Sequence, residues 1–196
     1  STKKKAHAGD PSSYAGANYN NSGSPGDISN WLVTPEFDLS GVQTFSFWTT
    51  TIAASGWADR ARVWVCLGTN CCGSLIGAGV EGTGDFSIML DDINPTEALG
   101  GYPEEWTEYS YTNDGSWTGT GRLAFQYYIH DSGPSGVNSN YIGVDTMQVA
   151  SGAGDGGGPT DDGGVPATTT WGVIVLIALF LGITLFYLRR RSSVKA

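Results

Sequence analysis

The sequence predicts an all-β body, an antiparallel jelly-roll β-sandwich, followed by one C-terminal transmembrane helix. Three observations point there. Between residues 27 and 150, short runs of β-branched and aromatic residues alternate with Gly, Asn, Asp and Pro clusters, and no helical period persists. Two of those runs alternate with a period of two. An uncharged apolar run near the end of the chain stops at three arginines.

The expected strands are 29–33, 44–51, 60–67, 86–90, 106–112, 122–130 and 141–149. In 122–130, Leu123, Phe125, Tyr127 and Ile129 alternate with Arg122, Ala124, Gln126 and Tyr128. In 60–67, Ala61, Val63, Val65 and Leu67 alternate with Arg60, Arg62, Trp64 and Cys66. One face of each is expected to meet a core. Turn chemistry separates the runs, as at Asn113-Asp114-Gly115 and Gly133-Pro134-Ser135-Gly136.

Charge is divided unevenly. Residues 1–165 hold all 19 Asp and Glu but only six Lys and Arg (Lys3, Lys4, Lys5, Arg60, Arg62 and Arg122), a formal −13. Such a body is repelled by nucleic-acid phosphates and anionic lipid, so nucleic acid is not an expected partner. The segment 171–188 is an 18-residue apolar run. As a helix it spans about 27 Å, close to the hydrocarbon thickness of about 30 Å. Arg189, Arg190 and Arg191 place the 189–196 tail in the cytoplasm, so the helix is expected in the inner membrane with the body outside. No leader stands between Ser1 and Asp10, so the expectation is a fragment or processed form with a mobile 1–11 end and N-terminal strands missing. Residues 151–170 are a Gly/Asp-rich linker.

Cysteine spacing leaves alternatives open. Cys66 can pair with Cys71 or Cys72 across a short loop, the three can stay free thiols, or they can hold a metal that lacks a fourth soft ligand. Catalytic signatures are sparse: there is no nucleophile elbow, zinc-protease helix or phosphate loop. His130 closes a strand pattern and is expected to pack, and His7 lies in the expected mobile end. The pairs Asp91-Asp92 and Glu104-Glu105 could in principle serve glycoside hydrolysis, but adjacent residues in extended chain point apart. Trp57, Trp117, Tyr102, Tyr14 and Tyr19 lie in Gly/Ser-rich stretches, where their rings can stack on a sugar or plug the core.

Two resemblances add to this. Asn30-Trp31-Leu32-Val33-Thr34-Pro35, Phe45-Ser46-Phe47-Trp48, Asp59-Arg60, Asp92-Ile93-Asn94-Pro95, Gly100-Gly101-Tyr102-Pro103 and Tyr141-Ile142-Gly143-Val144-Asp145 resemble the choice-of-anchor J domain over residues 12–150. That family is similar to cleaved-adhesin and MAM-type jelly rolls. Val165-Pro166, Trp171-Gly172, the apolar run and Arg189-Arg190-Arg191 resemble a PEP-CTERM sorting tail of the IPTL-CTERM variant. The tail implies an exosortase-like sorting enzyme as partner, and the jelly rolls imply a structural calcium. Asp145, Asp38, Asp27 and Glu36 are the expected ligands, because hard cations take carboxylate oxygens.

The expected function is a non-enzymatic exported surface or extracellular module, engaged in adhesion or an exopolysaccharide matrix through a polysaccharide or cell-surface ligand. Three alternatives remain: a targeting module of a larger secreted enzyme whose catalytic part lies upstream, a permanently anchored single-span protein, and a small hydrolase built on the acidic doublets.

Overall fold

The computed structural model describes residues 4–23, 25–71 and 80–151. The expected helix 171–188, the tail 189–196 and all of the expected linker except Ser151 lie outside them. Among the described residues no helix is long and apolar enough to cross a membrane.

The described strands are β1 (Ala15–Asn18), β2 (Gly26–Val33), β3 (Phe37–Asp38), β4 (Val42–Thr50), β5 (Ala61–Leu67), β6 (Ile88–Ile93), β7 (Thr107–Thr112), β8 (Thr120–Ser132) and β9 (Tyr141–Ser151), with a 3-10 turn at Tyr19–Asn21. One sheet has the order β1-β9-β4-β7 and the other β2-β8-β5-β6, with β3 also on β8. Every pairing is antiparallel. β2 pairs with β8 from Ser132 to Ala124, and β3 takes over at Gly121 and Thr120. Pro35, which has no amide to give a ladder, stands in the break. With β2 and β3 counted as one interrupted strand, two four-stranded sheets remain in jelly-roll order, and all but one connection crosses between them.

Alternation in β8 and β5 aims Leu123, Phe125, Tyr127, Ile129, Ala61, Val63 and Val65 into the core between the sheets. There they meet Phe45 and Phe47 of β4, with Phe47 edge-on to Phe125 at 4.5 Å between ring centroids. Leu67, expected inside, is exposed at the end of β5.

The opposite face of this sheet is covered as well. Trp64, Cys66 and Ala124 pack with Cys71 and Phe86, and Phe86 lies 5.2 Å from the Trp31 ring. Gln126, buried on that face, accepts from Trp64 Nε1 at 3.1 Å and donates to Ser29 Oγ at 2.9 Å. Cys66 and Cys71 are joined in a disulfide, and Cys72 lies outside the described residues.

Residues 4–11, expected to be mobile, are tied across the outer face of the β1-β9-β4-β7 sheet. The His7 ring stacks on Trp48 at 3.8 Å, and His7 N and Ala8 N donate to Asp145 Oδ2 at 2.7 and 3.2 Å. Trp106 Nε1 donates to the Lys5 carbonyl and Tyr14 OH to the Lys4 carbonyl. Alternating strand side chains leave Trp48 on that outer face, and a flat aromatic there gives the segment a surface to lie on.

Candidate functional site

One end of the sandwich is organised by a buried carboxylate. Asp59, just ahead of β5, is 1% exposed. Its Oδ1 accepts from Tyr127 OH at 2.6 Å and Asn140 N at 2.9 Å. Its Oδ2 accepts from Tyr141 N at 3.4 Å and lies 2.5 Å from Thr51 Oγ1, a hydroxyl that also faces the Tyr141 carbonyl at 2.7 Å. Burial pushes the Asp59 carboxyl up from its ordinary value, and these hydrogen bonds oppose the rise without cancelling it.

Other polar pairs lock the same end. Thr49 Oγ1 lies 2.6 Å from Tyr102 OH and donates to the Gly143 carbonyl at 2.8 Å. Asn94 donates to the carbonyls of Asp59 and Ala98 and accepts from Ala98 N. Ser139 N donates to the Ala58 carbonyl. Ala54, Asn94, Glu97 and Ser139 all hold positive φ in these loops. Such backbone persists only where its surroundings fix it, and the buried hydrogen bonds around Asp59 do so.

Two concavities open on this platform. A 340 Å³ pocket is lined by Ile52, Trp57, Leu99, Tyr102 and Glu104. Beside it, sharing Ile52, an 810 Å³ groove is lined by Tyr14, Asn18, Tyr19, Asn140, Tyr141 and Lys5. Lys4 at its edge is engaged, donating to the Glu104 carbonyl at 2.6 Å and to Glu105 Oε2 at 3.3 Å. The Asn140 side chain, Asn18 Nδ2 and Tyr19 OH have no hydrogen-bond partner among the described residues. Tyr141 OH is buried in the floor beside Tyr14 and reaches so close to Gly16 that a Cβ there would lie 2.8 Å from it.

A second polar cluster lies on the outer face of the other sheet. Arg60 grips Asp92 with two hydrogen bonds, 2.7 and 2.6 Å, and reaches Glu97 at 3.2 Å. Glu97 also accepts from His130 Nδ1 at 2.7 Å, and that bond holds the His130 imidazole above its ordinary pKa. Tyr128 OH meets both Glu81 and His130, and Arg62 lies over its ring at 3.7 Å. Each member is bonded to another protein group, which makes the cluster a brace between β5, β6, β8 and the 81 and 97 loops.

The expected site residues fare differently. Trp57 is half exposed at the pocket mouth, whereas Tyr102 and Trp117 are buried. Of the two readings open for these rings, Tyr102 and Trp117 take the packed one: the Tyr102 ring plugs the Thr49 end of the core, and Trp117 joins it beneath the Asn113 turn.

The expected calcium ligands do not converge in this structure. Asp27 accepts from Asp131 N near one end of β8, while Asp38 accepts from Ser40 N near the other. Glu36 pairs with Arg122 at 3.8 Å, and Asp145 on the opposite sheet holds the N-terminal segment. No group of three or more His, Cys, Asp or Glu suited to a metal exists among the described residues.

Both acidic doublets split: in β6, as extended backbone requires, Asp91 accepts from Tyr111 OH while Asp92 takes Arg60, and in the bend before β7 Glu104 Oε1 accepts from Ala54 N while Glu105 pairs with Lys4. Val165, Pro166, Trp171, Gly172, Arg189, Arg190 and Arg191 lie outside the described residues.

Sequence reasoning did not single out Asp59, Asn18 or Asn140 as site residues. Asp59 stands between Ala58 and Arg60 just ahead of a strand, and the two asparagines look like ordinary turn residues, so their neighbours in the chain mark none of the three.

No family model and no curated protein matches the chain. Among solved structures it is similar to the K3 cleaved adhesin domain of Lys-gingipain from Porphyromonas gingivalis, at 20% identity and a TM-score of 0.47, over 71% of this chain and 74% of that one. It is also similar to the K1 domain of the same protein and organism, at 16% identity and a TM-score of 0.44, over 71% and 75%. The K2 cleaved adhesin domain of Lys-gingipain is similar at 20% identity and a TM-score of 0.46, over 76% and 75%.

Proposed function

We propose that the chain is a non-enzymatic, exported surface or extracellular module that works by binding, in adhesion or in an exopolysaccharide matrix. The observation that carries this is the loop end around Asp59. Its carboxylate is consumed by structural hydrogen bonds, and the groove beside it is lined by tyrosines and by amides with unused donors. Groups of that kind recognise a ligand by contact and hydrogen bonding, without a pairing of base and nucleophile.

Export is supported by the charge pattern of 171–191 and by the Cys66–Cys71 disulfide, since disulfides persist in oxidising compartments. The 165–191 pattern further supports sorting through an exosortase-like enzyme, with retention as a plain single-span anchor as the competing outcome.

Binding is tested by coating beads with the full chain in mild detergent and measuring retention on cells and matrix of the producing organism. Saturable retention, competed by free protein, is expected; retention no greater than that of albumin-coated beads sinks the proposal. Sorting is tested by intact mass in membrane and medium fractions. A released form ending between residues 164 and 171 supports processing, and a full-length form confined to the membrane supports the plain anchor.

A further inference from the structure

Resting on the reading of the loop end as a binding surface, we propose that the 810 Å³ groove is a subsite for an uncharged polysaccharide chain, held by Tyr19, Asn18 and Asn140. Its volume falls within the about 300–1,000 Å³ typical of sites that enclose small organic ligands.

The groups it offers match a sugar. A carboxamide presents a donor and an acceptor side by side, the pattern that adjacent ring hydroxyls complement, and the Asn140 side chain keeps both free. Asn18 Oδ1 is taken by Asn20 N at 2.9 Å, which leaves its NH₂ as a donor. Tyr19, 38% exposed, offers an apolar ring face to a pyranose C–H face and an unengaged hydroxyl at its rim.

These groups stand on backbone fixed before any ligand arrives. Asp59 accepts Asn140 N, the Asn140 carbonyl accepts Tyr19 N at 3.2 Å, and Asn18 caps the 3-10 turn that carries Tyr19. Preorganisation of this kind lowers the ordering cost of binding. Gly16 lets the Tyr141 side chain lie flat in the floor.

Charge decides between neutral and acidic polymers. Glu105 balances Lys4, and Lys5 and Asp10 in the same lining offset each other. No net positive field remains to draw a polyanion toward a body that carries −13 over residues 1–165. The neighbouring Trp57 pocket is smaller and has Glu104 in its wall, so it does not duplicate the amide chemistry.

The test is an array of neutral polysaccharides (glucans, mannans, galactans and xylans) with alginate and polygalacturonate as acidic comparators, probed with the full chain in mild detergent. The strongest binder is then titrated as an oligosaccharide by calorimetry. Saturable binding to at least one neutral polymer is expected, with both acidic polymers weaker by about tenfold or more. Asn140→Ala and Tyr19→Ala are each expected to weaken binding about tenfold, and Tyr19→Phe less than Tyr19→Ala. Trp57→Ala is expected to change it less than about twofold. All these side chains are at least partly exposed, so unchanged melting temperatures show that the variants are folded.

Binding to no neutral polymer, preference for an acidic one, or wild-type affinity in Asn140→Ala overturns the assignment. If the beads still adhere to cells in that case, the groove assignment alone falls. If adhesion is lost too, the surface-binding reading falls with it.

Discussion

Tyr127 of β8 donates its hydroxyl to Asp59 Oδ1 at 2.6 Å, so the central strand of one sheet pins the loop that leads into its neighbour. Asp59→Asn keeps the shape but sets an N–H against groups that also donate. The expected cost is about 3 kcal/mol in chemical denaturation, the range for a buried charged group losing its partners. The variant also isolates a pH effect. Because the folded carboxyl sits above its ordinary 3.8, the folded state holds its proton longer. The contribution of Asp59 to stability therefore falls as pH rises from about 3.8 through the raised value, at up to about 1.4 kcal/mol per pH unit, and the wild-type profile differs from that of the Asn variant by that slope. Parallel pH profiles for the two proteins would contradict it.

His130 gives a slope in a higher window. Its hydrogen bond to Glu97, with Glu81 and Asp27 adding attraction, raises the imidazole above 6.5. The contribution is full below pH 6.5 and is lost as pH rises through the folded value. The side chain is 40% exposed, so solvent screening keeps the effect below about 0.5 kcal/mol. An NMR titration reads it directly: the His130 midpoint is expected to drop in Glu97→Gln, and an unmoved midpoint contradicts the pairing.

The N-terminal segment is held by few groups, which makes it separable from the body. Asp145→Ala removes the acceptor for His7 N and Ala8 N, and Trp48→Ala removes the ring beneath His7. Hydrogen exchange at residues 5–14 is expected to accelerate at least about tenfold in either variant, while β4 and β8 stay protected, because local openings draw on local contacts. Equal loss of protection throughout would show that the segment is integral to the core.

How much of this was readable from sequence depends on whether neighbours in the chain or neighbours in space decide a residue's fate. The alternation of Leu123, Phe125, Tyr127 and Ile129 is local, and the structure buries all four. Ala15–Asn18 and Phe37–Asp38 carry no β-branched residue and are strands only because β9 and β8 offer free edges. Ala124, Gln126 and Tyr128 look like an outward face until Phe86 and the disulfide loop come down over part of it. Trp117 and Tyr102 lie in glycine-rich stretches, yet their large rings fill the core at the two turns that need filling. Asp145 accepts from the adjacent Thr146 N and also from His7 N and Ala8 N, 138 and 137 residues away in sequence, contacts that no local pattern announces.

Cys66 and Cys71 are five residues apart, so the chain-entropy model assigns their bond about 2 kcal/mol. Cys72 adjoins Cys71 and can substitute for it, so the informative variant is Cys71→Ala with Cys72→Ala. That double variant is expected to lose about 2 kcal/mol. Its tryptophan emission is expected to shift to the red as Phe86 loosens from Trp31, because the covering layer is anchored at Cys66 and Cys71. Cys72→Ala alone is expected to cost less than about 0.5 kcal/mol, as a substitution outside the bond. Should Cys72→Ala instead match the double variant, the native bond would be Cys66–Cys72 and the layer over Trp31 and Trp64 would be held differently.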